Sequence, residues 1–471
     1  MKKFFTLSAF VCSLALSAQT LALDADFNQG GTGVTNGAVI NDVFLLNGGK
    51  ILIGGGSYFN SYNGIPVADF ACLNQDGSLD ESFNISLPGG VACIAGADDK
   101  IYVGGAFSNC NGNPVNQIIR LNSDGSLDSE FTSSVVFDST PGLVKVIYSI
   151  AVDANGKILV GGDFKTPEGN RYTIIRLNAD GSLDTTFAYN GDYNGVLTKA
   201  DEIIVLADNK ILVAGNMNDD SDTLYKGLIR LNENGTIDTT FNSKYYVRGV
   251  VHDVVLEYDG KIVAAGFFDV PTGNTVATLI RLNDDGSIDE SFSVTTAQNS
   301  YSANRILDIE KYNGKYLVSG KFDAYGDHEV HDMALINYDG SIDTSFSIGA
   351  GVDFHLTKAV ALNDGKILAA GSFMQFNGES KRGIVRLIGT VVGGNKFTEA
   401  SSFVYKANDC FNIVSDNEIA NVSIYDVSGK LIYTAQAESN NLALENTFSN
   451  GVFFVNVSYQ NGSTSQHKIL N

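Results

Sequence analysis

The sequence predicts an all-β protein: a seven-bladed β-propeller closed by its own N-terminal strand, followed by a small β-sandwich. Three observations carry this reading. The phrase R-L-N-x-D-G-S-[LI]-D-x-x-F returns as Arg120–Phe131, Arg176–Phe187, Arg230–Phe241 and Arg281–Phe292, with looser copies at Cys72–Phe83 and Leu335–Phe346. A period of about 50 residues built from short β-units is the mark of a propeller or an array. A second phrase, a tight turn followed by Lys and an apolar run ending near Gly, recurs seven times, at Lys50, Lys100, Lys157, Lys210, Lys261, Lys315 and Lys366. Finally, the seventh repeat stops at Gly383–Gly389 without a fourth strand, and Leu23-Asp24-Ala25-Asp26-Phe27 supplies the missing L-D-x-x-F at the other end of the chain. A ring clasped in this way has no raw β-edges.

From the N-terminus, Lys2 and Lys3 precede an apolar run from Phe4 to Leu16, and the small residues Ser17 and Ala18 follow. The run is too short to span a bilayer, so 1–22 reads as a cleaved export leader, cut after Ala18 or Ala22. Residues 23–389 form the propeller. Each repeat is expected to hold two hairpins, their turns supplied by Asn-Gly, Asp-Gly and Gly-Gly pairs, which suit two-residue type I′ loops. The 50 Gly, 6 Pro and absent Trp among 471 residues agree with tight-turned β-structure. Residues 390–400 read as a linker and 401–471 as a second domain of short alternating strands, suited to a sandwich.

Two residue types keep step with the repeat. An Asp stands three residues before the Phe in every unit: Asp24, Asp80, Asp128, Asp184, Asp238, Asp289 and Asp343. An Arg stands in the third strand of five units: Arg120, Arg176, Arg230, Arg281 and Arg386. A function seldom repeats around a whole ring, so these are expected to cap turns and pair with one another.

These residues resemble the delta-60 repeat family of bacterial surface and secreted proteins, over roughly Leu23 to Gly389. The resemblance implies a propeller and no assigned chemistry. Kelch repeats have a similar length but normally a Trp in each blade, which this chain lacks. The last stretch resembles the type A sorting domain of the type IX secretion system of Bacteroidetes-type bacteria. The matching residues are Ile424-Tyr425-Asp426 with Ser428-Gly429-Lys430, Gly451-Val452-Phe453-Phe454-Val455, and Lys468-Ile469-Leu470. Asn408-Asp409-Cys410 stands where that family opens with Asn-Pro. The resemblance implies export through that machinery, with the secretion apparatus as partner.

The formal charge is −22, and loss of Lys2 and Lys3 with the leader makes it −24. So acidic a surface argues against nucleic acid and anionic membranes as partners, and no later segment is apolar enough for membrane insertion. Cys72, Cys93, Cys110 and Cys410 follow the leader; export permits disulfides, and Cys93 with Cys110 is the favoured pair because both fall in one repeat. Asp327, His328, His331 and Asp332 form the one cluster with transition-metal ligand chemistry. Asp219, Asp220 and Asp222 offer oxygens to Ca²⁺. Otherwise no cofactor is implied. His252, His328, His331 and His355 fall at different places in their repeats and give no convergent acid/base pair, so no catalytic residue is assigned. The sequence therefore points to a secreted or surface binding module for an extracellular glycan or protein. The alternative is a hydrolase or lyase acting on an extracellular polymer.

Overall fold

A computed structural model describes residues 19–46, 48–56, 58–97, 99–133, 146–165, 171–187, 199–216, 227–241, 248–257, 259–270, 275–293, 297–298, 305–362, 364–391, 402–407, 410–426, 431–445, 452–460 and 464–470. The architecture is all-β. Seven strands repeat as the innermost of each blade: Ile40–Leu45, Val91–Ala97, Ile147–Val152, Lys199–Val205, Arg248–Leu256, Arg305–Tyr312 and Leu356–Ala361. Each touches the next, and the seventh touches the first, so the ring is closed. In every blade the inner strand pairs antiparallel with the strand that follows the GK turn, which pairs in turn with the R-L-N strand.

The fourth strand is shorter than the repeat suggests. It makes a single bridge, Leu73 to Leu79 in blade 1 and Leu121 to Leu127 in blade 2, with four more like them. The chain then turns at the Asp, because each Asp carboxylate captures the amide two residues on, as Asp128 does with Glu130 N at 3.0 Å and Asp184 with Thr186 N at 3.0 Å. This local bond competes with strand pairing and ends it. The GK turns also differ from expectation. Only blades 2 and 6 pair the residues flanking a two-residue loop, Ala97 with Lys100 and Tyr312 with Lys315. The other five bend through a longer turn with a left-handed residue, Gly49, Gly156, Asn209, Gly260 or Gly365, before the Lys, and in blade 1 Gly48 is left-handed as well. One positive φ is enough there, so a single Gly or Asn suffices.

The N-terminus closes blade 7. Gln19–Leu23 lies between the Ile384–Val391 strand and Phe346–Ser347 at the end of blade 6. Asp24 N donates to Arg386 O at 2.8 Å, the same bond that Asp128 N makes to Arg120 O at 2.9 Å inside blade 2. The strand begins at Gln19, four residues earlier than the Leu23-to-Phe27 match implies. Leu21 is buried in the core of blades 6 and 7, and Phe27 in the core shared by blades 7 and 1.

The repeat Asp and Arg form a staple between blades. Arg120, Arg176, Arg230, Arg281 and Arg386 each place Nε 2.7–2.8 Å from the Asp of their own blade. Nη1 reaches 2.5–2.7 Å to a turn carbonyl of the next blade: Ala179, Glu233, Asp284, Tyr338 and Gln75 respectively. The guanidinium lies 4.8–5.1 Å from the ring centroid of the Phe that ends the phrase. The GK lysine adds a second cation to each Asp, from Lys100 to Asp128 at 2.7 Å round to Lys366 with Asp24 at 3.0 Å. Blades 1 and 6 have Cys72 and Leu335 in place of Arg, and there Lys50 pairs with Asp80 and Lys315 with Asp343.

The chain divides into two compact units, Met1–Thr390 and Val391–Asn471. In the second, the long strands Cys410–Asp426 and Leu431–Glu445 pair along both halves, with breaks in register after Val414 and at Ile419. The first half of Cys410–Asp426 also pairs with Ser402–Ala407, and the second half with Val452–Tyr459, which carries Thr464–Leu470 at its edge. Ile413 and Leu444 from one half share a core with Val422, Ile424 and Val455 from the other, and the five strands are joined in one hydrogen-bonded sheet.

Cys72, Cys93 and Cys110 are free and buried, so the Cys93–Cys110 pairing is corrected. The two lie in different cores. Cys93 packs with Ile147 and Ile150 of blade 3, whereas Cys110 packs with Leu52 and Phe70 of blade 1.

Closure by Gln19–Leu23 makes Leu21 a stability determinant. Leu21→Ala is expected to lower the unfolding free energy by about 2–5 kcal/mol, the usual range for a fully buried Leu. A chain that starts at Leu23 should melt well below one that starts at Gln19 in thermal denaturation followed by circular dichroism. Equal melting would mean that the clasp does not hold the ring.

Candidate functional site at the mouth of the axial channel

Every inner strand carries a β-bulge at its start, where register slips between Ile40 and Asp42, Val91 and Cys93, Ile147 and Ser149, Ala200 and Glu202, Val251 and Asp253, Ile306 and Asp308, and Leu356 and Lys358. A bulge inserts one unpaired residue and re-aims its side chain. The seven inserted residues are Asn41, Ala92, Tyr148, Asp201, His252, Leu307 and Thr357. They do not follow the repeat, and all except Thr357 line one depression of about 400 Å³, which marks the mouth of the channel.

Within it, polar side chains from three consecutive blades meet. Lys199 Nζ sits 4.3 Å from the Tyr148 ring centroid and forms an ion pair with Asp201 Oδ1. Asp201 Oδ2 lies 3.5 Å from His252 Nδ1. The Asp201 side chain is only 8% exposed, yet Oδ2 is buried with no hydrogen-bond partner among the described residues. An unsatisfied buried carboxylate oxygen costs free energy that a stable fold does not need to spend. Gly89 and Gly90 hold φ of 122° and 101° at the rim, where a Cβ on Gly89 would meet the Phe107 backbone at 3.0 Å. Two other depressions, of about 430 and 470 Å³, lie among repeat residues such as Asp80 and Arg176.

One residue past each bulge, a second set approaches the axis: Asp42, Glu202, Asp253, Asp308 and Lys358. Three of these acids pin neighbouring blades. Asp42 accepts from Ile94 N at 2.7 Å, Asp253 from Ile309 N at 3.0 Å, and Asp308 from Ala359 N at 2.9 Å. Lys358 Nζ is 2.8 Å from Asp308 Oδ1. Burial pushes the Glu202 carboxyl up, with the Asp253 charge adding to it, and burial likewise raises Asp253 and Asp42. Lys358 is raised as well: burial opposes its charge, but Asp308, Asp253 and Asp42 hold the ammonium and lift its pKa. Two residues on from Asp308, Glu310 is pushed up to about 7 by burial, although Ala361 N donates to it at 2.5 Å.

The histidine and acid cluster named from the sequence does not converge. Asp327 and His328 are exposed on a short hairpin, and His331 Nε2 faces Glu329 at 3.8 Å. Asp332 turns inward, bonding Phe322 through N→O at 2.8 Å, and burial raises its carboxyl to about 7. Among the described residues no three His, Cys, Asp or Glu are placed to hold a metal ion. Asp219, Asp220 and Asp222 lie outside the described residues. His355 stands before the seventh inner strand, where burial, Lys321 and Arg305 lower its pKa to about 4. The site that sequence reasoning missed is Asp201 with His252. The signal was there: both stand nine residues before a GK lysine, in the column that reads Asn41, Tyr148, Asp201, His252, Thr357.

Seven segments, 49–83, 96–131, 154–187, 206–241, 259–292, 313–346 and 362–387, match DUF5122, a domain of unknown function described as a β-propeller. Residues 392–471 match DUF8694, another domain of unknown function. No curated protein matches the chain. Solved structures that match include PorZ of Porphyromonas gingivalis, described as an essential surface component of the type-IX secretion system (14% identity, TM-score 0.44, 92% of this chain and 59% of that one). An extracellular domain from B. thetaiotaomicron assigned to a hybrid two component system matches at 11% identity and TM-score 0.48, over 96% of this chain and 59% of that one. Virginiamycin B lyase from Staphylococcus aureus matches at 14% and 0.40, over 78% and 99%. The chain thus spans about three fifths of the first two.

The carboxyl shifts fix the sign of the pH dependence. Lys100 above all draws Asp128 down to about 2, and in Asp184, Asp238 and Asp289 the Lys, Arg and hydroxyl donors outweigh burial to lower the carboxyl. Their contribution is present above the unfolded value near pH 4 and is lost as pH falls toward 2. Glu310 and Asp332 are raised, so theirs is present below about pH 4 and is lost as pH rises through 7. Calorimetric melting temperature is therefore expected to peak at roughly pH 5 and decline toward pH 8. Glu310→Gln should flatten that decline, and an unchanged alkaline limb would refute this assignment.

Proposed function

We propose that this chain, whose propeller is made of seven DUF5122 β-propeller repeats, is an exported or surface-held binding module that takes an extracellular glycan or protein at the mouth of its axial channel. The observation that supports this is the meeting of the non-repeating polar side chains Tyr148, Asp201 and His252 at that mouth, while Asp, Arg and Lys of the repeat are consumed in holding blades together. Preformed concave sites with a few converging polar groups are where ligands bind. The hydrolase or lyase alternative gains one point of support, since His252 beside Asp201 has the pairing of an oriented acid/base group. Lys199, the other proton carrier beside them, is tied to Asp201 and lies over the Tyr148 ring, so binding is the better reading.

Export is read from the two ends. The leader is proposed to be cut after Ala18, because a cut after Ala22 would remove most of the Gln19–Leu23 strand and the buried Leu21. Residues 391–471 are proposed as a sorting domain for the type IX secretion machinery, on the Ile424-Tyr425-Asp426 and Gly451-to-Val455 resemblance. No helix among the described residues is long and apolar enough to cross a membrane.

Two measurements test this. Purified chain and a Tyr148→Ala/His252→Ala double variant are screened for capture of, and turnover of, extracellular polysaccharides and proteins. Capture that the double variant loses is expected; turnover that it loses would favour the enzyme alternative, and capture that it keeps would remove the mouth from the reading. Separately, a periplasmic reporter fused to residues 391–471 is expected outside a host that has the machinery, and its retention would refute the sorting role.

A further inference from the structure

We propose that the ligand seated at the mouth is a neutral, polyhydroxylated chain, a glycan end, with one of its hydroxyls donating to Asp201 Oδ2. This deepens the reading of the mouth as a binding site and rests on it. The argument begins from the orphaned oxygen. Asp201 is buried in the wall of the depression, and Oδ2 lacks a donor among the described residues. Its occupant must therefore bring an N–H or O–H. A cationic ligand is disfavoured, because Lys199 is already paired with Asp201 Oδ1 and occupies the Tyr148 face. The described charged lining thus comes to one Lys and one Asp that are paired with each other, so the local field selects neither sign strongly.

The remaining lining is that of a sugar site. Val91, Ala92, Val146 and Leu307 offer apolar patches for C–H faces, and the Gly89–Gly90 rim leaves room for a ring to approach backbone. The Asn41 side chain is anchored by donation to Val91 O at 2.8 Å, which fixes its carbonyl oxygen as an acceptor at the edge. A depression of about 400 Å³ accommodates one or two pyranose rings at the entrance of a longer chain. Tyr148, Asp201 and His252 stand on bulges of adjacent inner strands, tied by Ser149 Oγ donating to Ala200 O and by Asp253 accepting from Ile309 N, which limits the entropy lost on binding.

The test uses the full chain from Gln19 and isothermal titration with defined probes: neutral β-glucan and mannan hexasaccharides, a cationic chitosan hexamer, an anionic oligogalacturonate and a mixed tetrapeptide set. At least one neutral oligosaccharide is expected to bind saturably. Asp201→Asn should weaken it by about tenfold or more, while circular dichroism keeps the parent's spectrum, the lost ion pair to Lys199 costing melting temperature only. Two results overturn the inference: binding confined to the charged sugars or peptides, or neutral-sugar binding that Asp201→Asn and His252→Ala leave intact. Loss of the folded spectrum in step with binding would also overturn it, since Asp201 would then be a structural residue. If sugars fail while a protein ligand is lost in the Tyr148→Ala/His252→Ala variant, the mouth remains the binding site and only the glycan assignment falls.

Discussion

The ring depends on one contact, the guanidinium that holds its own blade's Asp with Nε and the next blade's turn carbonyl with Nη1. It appears at five of seven blade junctions. At the last one Arg386 takes Asp24 from the N-terminal segment and Gln75 O from blade 1, joining residues more than 300 apart in sequence. A buried charge pair is weak evidence of stability when viewed alone. Here the cost of burial is offset by further partners: a second cation from the GK lysine, the amide two residues on, a Ser or Thr hydroxyl there in three of the five, and the Phe ring beneath. With so many donors fixed on one carboxylate, a blade that rotates relative to its neighbour must break several bonds together. The fold is therefore specified at the junctions as much as in the apolar cores between the sheets.

That contact was legible in the sequence because it repeats. A residue type that returns with the frame announces a structural role, and the Asp in seven units with Arg in five could be assigned before any coordinates. The clasp was legible for the same reason, since Leu23-Asp24 and Phe27 are a displaced copy of a phrase seen six times elsewhere. Its extension back to Gln19 was hidden because Gln19–Ala22 has no counterpart in the phrase and overlaps what reads as a leader. The reduced fourth strand was hidden too. Period-2 patterning marks where a strand can form, but the Asp side chain competes for the backbone amide and stops it after one bridge.

The mouth was hard to read for the opposite reason. Its residues share a column but not a chemistry, and a repeat search discards a column that varies. The bulge adds a second obstacle, because an inserted residue breaks the alternation by which inward and outward positions are told apart. His252 accordingly looked isolated, and Asp201 looked like one more acid in a chain of net charge −22. Histidines elsewhere drew attention by their density in sequence at Asp327–Asp332, where the hairpin turns His328 outward and Asp332 inward.

The axial acids explain why the mouth can be shaped without disturbing the ring. Asp42, Asp253 and Asp308 each bond the next blade's inner strand immediately after its bulge, and Asp42 and Asp253 also bond the amide that follows them on their own strand. Each thereby fixes where a bulge begins relative to its neighbour. Blades 2 and 3 have Cys93 and Ser149 at this place, and Ser149 reaches Ala200 O at 3.2 Å instead. The position of the inserted side chain is thus set from below by a carboxylate in blades 2, 6 and 7 and by the Ser149 hydroxyl in blade 4, while its identity stays free. A propeller built this way separates two tasks by depth. Junction staples and axial pins carry the fold, and seven inserted residues at the rim are left to vary, so Tyr148, Asp201 and His252 can be brought together on adjacent blades with no compensating change elsewhere in the ring.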